Sequence, residues 1–254
     1  MKKRQQNIIL QLREKKEVKV SYLSNFFRIS EVTIRKDLEY LEKQGLLLRI
    51  HGGAILIENH KISSEIFYST RKTKNILEKE KIGRAAANFI EDEEVIFIAA
   101  GTTTAQIAKF ISERKNLIVI TNSINIAQEF GNKSGVHTIL IGGILSNELQ
   151  TLAGTISEEF LQKFYAKKLF LGVGGISIEH GITYFDVAEN ELRKEMIERS
   201  EIRIVMADYT KFNKVAILSV CPINSINKLI TDDKVPKDII EKIREMGVEV
   251  IIAE

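Results

Sequence analysis

From residue 95 onward the chain repeats one pattern: a short run apolar at nearly every position, a turn rich in glycine or hydroxyl residues, then an amphipathic helical segment. Val95-Ile96-Phe97-Ile98-Ala99 opens the series. Leu117 to Thr121, His137 to Ile141, Lys168 to Val173, Ile202 to Ala207, Lys228 to Thr231 and Val248 to Ile252 continue it. A strand that is apolar throughout has to be covered on both faces, and helices between strands make connections long enough for parallel pairing. The expected fold class is therefore α/β, a mainly parallel sheet flanked by helices near Ile82 to Ile90, Thr104 to Ser112, Ile124 to Phe130, Ile156 to Tyr165, Val187 to Ser200 and Pro236 to Met246. Sheets of this kind bind ligands beyond the carboxyl ends of their strands, so the turns are where chemistry is expected.

Four turns stand out. After Ala99 comes Ala100-Gly101-Thr102-Thr103-Thr104, in which Gly101 lets the backbone approach a ligand. Free amides and the hydroxyls of Thr102, Thr103 and Thr104 can hold a phosphate there. Thr121-Asn122-Ser123 repeats the arrangement with Asn122 and Ser123, and Gly142-Gly143 and Gly172-Val173-Gly174-Gly175 complete the set. Each turn alone has a steric explanation; converging on one sheet edge, they favour a phosphorylated small molecule. Gly172 and Gly174 do not begin a dinucleotide fingerprint, because the third glycine is misplaced and no helix opens behind it. Further on, Asp208 can accept from a hydroxyl and Lys211 can balance a phosphate. Glu189 and Arg193, four residues apart, read first as an ion pair and second as a sugar-contacting pair.

The first 57 residues follow other rules. Residues 3–28 give two short helices with apolar faces at Ile8, Ile9 and Leu12 and at Leu23, Phe26 and Phe27. A turn leads to Ser30, well placed as an N-cap, and a helix from Glu31 to Gln44 stops at Gly45. At 100° per residue, Ile34, Leu38 and Leu41 share one side. Val32, Arg35, Lys36, Glu39 and Lys43 lie opposite, with Thr33 near the start. Such a helix, preceded by a helix and a tight turn, suits a major groove: Arg35 for guanine edges or phosphate, Thr33 and Lys36 for the backbone. Leu46 to Ile50 and Ala54 to Ile57 around His51-Gly52-Gly53 form a hairpin wing, with Arg49 and His51 near flanking phosphates. For a lone His51 a hydrophilic hairpin role is the simpler reading. A helical module that binds protein is the alternative for the whole segment.

Charge separates the two regions. Residues 1–84 hold 19 Lys and Arg against 10 Asp and Glu, a balance of +9, and the remainder holds 18 against 24, a balance of −6. A basic head on an acidic body suits a polyanionic partner. Between them, Glu58 to Lys81 is polar and lysine-rich. The expected domains are a DNA-binding head at 1–58, a linker at 59–77 and an effector domain at 78–254.

Two strings carry a family resemblance. Ile29-Ser30-Glu31-Val32-Thr33-Ile34-Arg35-Lys36-Asp37-Leu38, with Leu41-Glu42-Lys43-Gln44-Gly45 and Arg49-Ile50-His51-Gly52-Gly53-Ala54, resembles the winged helix-turn-helix of the DeoR family of bacterial transcriptional regulators. Lys79-Glu80-Lys81-Ile82, the Gly-Thr-Thr turn, Thr121-Asn122-Ser123, Gly142-Gly143 and Asp208-x-x-Lys211-Phe212 resemble that family's effector domain, related in fold to ribose-5-phosphate isomerase. The chain departs from the family pattern at Tyr22-Leu23-Ser24, at Ala99 in place of Asp and at Arg193 in place of Lys. The resemblance implies an operator-binding repressor of sugar or polyol genes, controlled by a sugar phosphate and working as a dimer or tetramer.

Other classes fare worse. Cys221 is alone, so neither an internal disulfide nor a metal site of several cysteines can form. No run of ~18 apolar residues indicates a membrane span, and a cytoplasmic protein without a cofactor is the expectation. A sugar-phosphate isomerase would need a base, an acid and a phosphate clamp together; Glu189 and Asp208 supply carboxylates, but Ala99 leaves one position empty.

Overall fold

The computed structural model describes residues 3–15, 17–43, 47–50, 52–56, 71–147 and 149–254. They fall into two compact units, one within 1–70 and one within 71–254.

In the first unit, helix α1 (Lys3–Lys15) precedes strand β1 (Glu17–Lys19), helices α2 (Val20–Phe27) and α3 (Glu31–Lys43), and strands β2 (Leu47–Ile50) and β3 (Gly53–Leu56). The three strands form one antiparallel sheet in the order β1-β3-β2. Its core gathers Ile8, Leu12, Leu23, Ile34, Leu38 and Leu41 from the helices with Val18, Leu47 and Ala54 from the strands. Glycine is required at position 53, where a Cβ would lie 2.3 Å from the Val18 carbonyl oxygen and force β1 off the hairpin. Strand β1 was not expected. Three residues are too few for an alternation to register, and this strand exists only because the hairpin edge pairs with it.

The second unit is a three-layer sandwich. Helix α4 (Ile76–Ala87) leads into a wholly parallel seven-stranded sheet made of β4 (Val95–Ile98), β5 (Leu117–Thr121), β6 (Val136–Leu140), β9 (Ala166–Gly172), β12 (Ser200–Met206), β14 (Lys228–Thr231) and β15 (Glu249–Ile252). Between β4 and β6 run helices α5 (Ile107–Phe110) and α6 (Ile124–Gly131). The hairpin β7 (Ile144–Ser146) and β8 (Thr151–Ala153) follows, then α7 (Thr155–Leu161). An antiparallel trio, β10 (Gly175–Ser177), β11 (Gly181–Tyr184) and β13 (Leu218–Cys221), brackets α8 (Val187–Glu198), and α9 (Lys237–Glu245) precedes β15.

The sheet order is β15-β14-β12-β9-β4-β5-β6. Strand alternation divides the side chains between two cores. Ile96 and Ile98 face α4, α5 and α6 through Ile82, Ile107 and Phe130. Phe97 and Ala99 face α7, α8 and α9 through Leu161, Leu192, Met196 and Ile243. The expected flanked parallel sheet is thus present.

The differences from expectation are local. The helix expected over 104–112 is a 3-10 turn at Thr104–Gln106 and a four-residue helix that ends at Ile111, whose backbone is extended. The short antiparallel strands escaped notice because three- and four-residue segments carry too little periodicity.

Candidate DNA-reading face and sensor site

Helix α3 divides as its period requires. Ile34, Asp37, Leu38 and Leu41 are buried, whereas Ser30, Glu31, Val32, Arg35, Lys36 and Glu39 are exposed and Thr33 is half-buried. Ser30 starts the helix: the Thr33 amide donates to its hydroxyl at 3.4 Å and to its carbonyl at 3.0 Å, and the two hydroxyls are 3.0 Å apart. Ahead of it, Arg28 sits at φ +54° and the Ile29 amide donates to the Ser24 carbonyl, stopping α2 in a left-handed turn. Asp37 pins α3 to α1, accepting from Gln5 at 3.0 Å and pairing with Arg4. With its inner face fixed in this way, α3 keeps Val32, Thr33, Arg35 and Lys36 on the outside.

Arg35 is tied to Glu31, Nη2 to Oε2 at 2.9 Å, with both side chains open to solvent. Arg49 lies on β2, where its amide donates to Glu42 Oε1 at 3.1 Å and fastens the hairpin to the end of α3. His51 and the side chain of Lys43 lie outside the described residues.

In the second unit, strands added after β6 build outward on the other side of β4, so the order reverses between β4 and β9. In open parallel sheets the ligand crevice lies where strand order reverses, at the carboxyl edge. The turns after these two strands meet: a Cβ on Gly101 would be 3.7 Å from the Gly172 Cα. Ala100 is clamped from two sides. Its amide donates to Asn122 Oδ1 at 3.0 Å, and its carbonyl accepts from Arg193 Nη2 at 2.7 Å. Beyond this clamp, the amides of Gly101, Thr102 and Thr103 donate to no group among the described residues, and the hydroxyls of Thr102 and Thr103 are equally unspent. Unspent amides and hydroxyls grouped at one turn are the donor set that an anion needs.

Several expected ligand contacts serve the scaffold. The Thr104 hydroxyl donates to the Ala99 carbonyl at 2.8 Å, Asn122 Nδ2 to the Leu152 carbonyl at 3.2 Å, and Ser123 accepts from the Ile126 amide as the cap of α6. Gly174 makes room for β11, since its Cβ would stand 3.0 Å from the Thr183 carbonyl oxygen. Glu189 receives Thr151 at 2.5 Å, Tyr184 at 2.9 Å and Arg193 at 2.7 Å, and the Arg193 guanidinium lies 3.5 Å over the Tyr184 ring. Both charged side chains are 2% exposed. With three donors on its carboxylate, Glu189 has no role as a general base in this arrangement.

A second polar cluster lies beyond β12. Asp208 is buried and caps the turn that carries Lys211, accepting from the Thr210 amide at 3.0 Å and the Thr210 hydroxyl. Asn75 Nδ2 donates to the same carboxylate at 3.2 Å. Lys79, on the first turn of α4, is buried and donates to the Arg71 carbonyl. Arg71 stacks 5.0 Å from the Phe185 ring. The Lys211 amide donates to the Asp208 carbonyl at 3.0 Å, but its ammonium forms neither an ion pair nor a hydrogen bond with any described residue. Burial pushes its ammonium down to about 7, helped by Arg71 and opposed by Asp208. Burial likewise brings Lys79 down to about 8, with Asp208 opposing. The neighbouring Asp232 is held above the usual carboxylate range by burial.

Asn75, Lys79 and Arg71 were missed by the sequence reading. A signal existed for Lys79, which shares the inward stripe of α4 with Ile82, Gly83 and Ala86 at i+3, i+4 and i+7. Arg71 and Asn75 gave no comparable pattern.

Residues 4–60 match the model of the DeoR-like helix-turn-helix domain and residues 74–233 that of the DeoR C terminal sensor domain. This chain belongs to the DeoR family. It is 34% identical to a putative aga operon transcriptional repressor of Escherichia coli O157:H7 over 98% of this chain and 93% of that protein. It is 34% identical to the transcriptional repressor GlcR of Bacillus subtilis over 96% of this chain and 93% of the other. Among solved structures, ribose 5 phosphate isomerase A from Neisseria gonorrhoeae has 14% identity and a TM-score of 0.37, covering 53% of this chain and 52% of that one. This DeoR-family chain is accordingly a transcriptional regulator and not an enzyme. Among its described residues no helix is long and apolar enough to cross a membrane.

Proposed function

We propose that the chain represses genes of sugar or polyol use by binding a double-stranded DNA operator through α3 and the wing, and that a phosphorylated sugar controls that grip. Ser30, Val32, Thr33, Arg35, Lys36, Lys43, Arg49 and His51 are the proposed DNA contacts. The observation that carries the effector reading is the pairing of unspent donors at Gly101, Thr102 and Thr103 with the unpartnered ammonium of Lys211. They follow β4 and β12, which are separated by β9 alone. Two strand spacings put them ~10 Å apart, a distance a sugar phosphate can span. Glu189 and Arg193 act on this site indirectly, by fixing Ala100, while Asp208 and Asn122 set the two ends. Effector binding shifts the operator affinity only in so far as the two DNA-binding states bind it unequally. Paired half-sites, and hence a dimer or tetramer, suit the motif.

Lys211→Ala tests the reading. The variant is expected to lose the thermal shift given by sugar phosphates and to bind operator normally. Operator release by the same sugar phosphate at the wild-type concentration would refute the site.

A further inference from the structure

Glu31 is an acidic side chain at the start of a helix whose first turns otherwise present Val32, Thr33, Arg35 and Lys36. It is the first residue of α3, where recognition helices meet base edges. A carboxylate there opposes the phosphates on either side of the groove, so it weakens indiscriminate binding. Two other acidic groups of α3 are turned to internal work: Asp37 holds α1, and Glu42 holds the amide of Arg49. Glu31 reaches outward instead, to Arg35, and the two side chains keep 46% and 61% of their surface exposed.

A linked carboxylate and guanidinium on one helix turn have a complement in the major groove. A G·C pair presents the O6 and N7 acceptors of guanine beside the N4 amino donor of cytosine. Arginine is suited to the first and glutamate to the second. An A·T pair offers the arginine no comparable double acceptor, and a bare phosphate offers the glutamate nothing but repulsion.

We propose that Glu31 and Arg35 read one G·C base pair as a unit, Glu31 accepting from the cytosine amino group while Arg35 donates to guanine. This rests on the DNA-reading role of α3. The simpler account is that Glu31 only favours the positive end of the helix, which would affect folding and leave base preference alone.

The experiment is selection from a randomised duplex library with the full chain, its Glu31→Ala variant and its Glu31→Gln variant, with thermal melts to confirm folding. The wild type should enrich half-sites with one fixed G·C pair. Glu31→Ala should relax that pair, keep the flanking preferences and bind random duplex severalfold more tightly at about 100 mM salt. Glu31→Gln should move the preference at that position toward adenine, whose N6 and N7 suit an amide. If the wild type enriches a half-site and both variants enrich the same one, the proposal is overturned and the DNA-reading role stands. If the wild type enriches nothing, both fall together.

Discussion

Arg193→Met is expected to destabilise the second unit by about 3–5 kcal/mol, the usual cost of removing one partner from a buried pair. The substitution keeps much of the side-chain volume, so the loss is chiefly electrostatic. Four contacts disappear: 2.7 Å to the Glu189 carboxylate, 3.3 Å to its carbonyl, 2.7 Å to the Ala100 carbonyl, and the 3.5 Å stacking on Tyr184. The Glu189 carboxyl is left 2% exposed, with only the Tyr184 and Thr151 hydroxyls bonded to it. In a unit of this size each kcal/mol moves the melting temperature by roughly 2–4 °C, which gives a drop on the order of 10 °C. Urea unfolding followed by circular dichroism measures the change, with tyrosine emission as a second probe because the chain has no tryptophan. The double variant Glu189→Gln, Arg193→Met should recover much of the loss, since a neutral amide replaces the stranded carboxylate. A single-variant loss below about 1 kcal/mol, the range of exposed pairs, would refute the view that the pair is desolvated.

Arg35→Ala should weaken operator binding by about 1–3 kcal/mol in a titration and leave effector binding unchanged. Phosphate-ester affinity should fall at least ~10-fold between pH 7 and pH 9, because Lys211, at about 7, binds phosphate in its protonated form, and it and the neighbouring Lys79, at about 8, lose their protons over this window. Folding stability should move the opposite way, rising above about pH 7: unfolded lysines hold their protons to ~10.4, and the folded state is penalised only while its two are charged. Calorimetry and urea titration across pH measure the two trends. Gly53→Val should destabilise the head by about 1–3 kcal/mol through collision with the Val18 carbonyl, read from its melting transition.

Much of this was legible in the chain. The inward and outward faces of α3 follow from a 3.6-residue period that local side-chain chemistry alone sets, and Ile34, Leu38 and Leu41 are buried as their spacing requires. The parallel sheet was equally plain in runs such as Val95 to Ile98. Effector contacts were harder to assign. Thr102 and Thr104 are near neighbours of one type, yet Thr104 is consumed by the Ala99 carbonyl while Thr102 keeps its hydroxyl. Sequence records the presence of a donor and not whether the scaffold has already used it.

Periodicity, apolar content and the run of turn residues settled by themselves that a basic reading head precedes a layered α/β body, because those signals depend on residues close together along the chain. Strand order, and with it the meeting of Gly101 with Gly172 and of Asn75 with Asp208, was decided by tertiary structure. Pairing between segments far apart in sequence leaves no local trace. It is fixed only when each strand finds the neighbour that buries both of its faces.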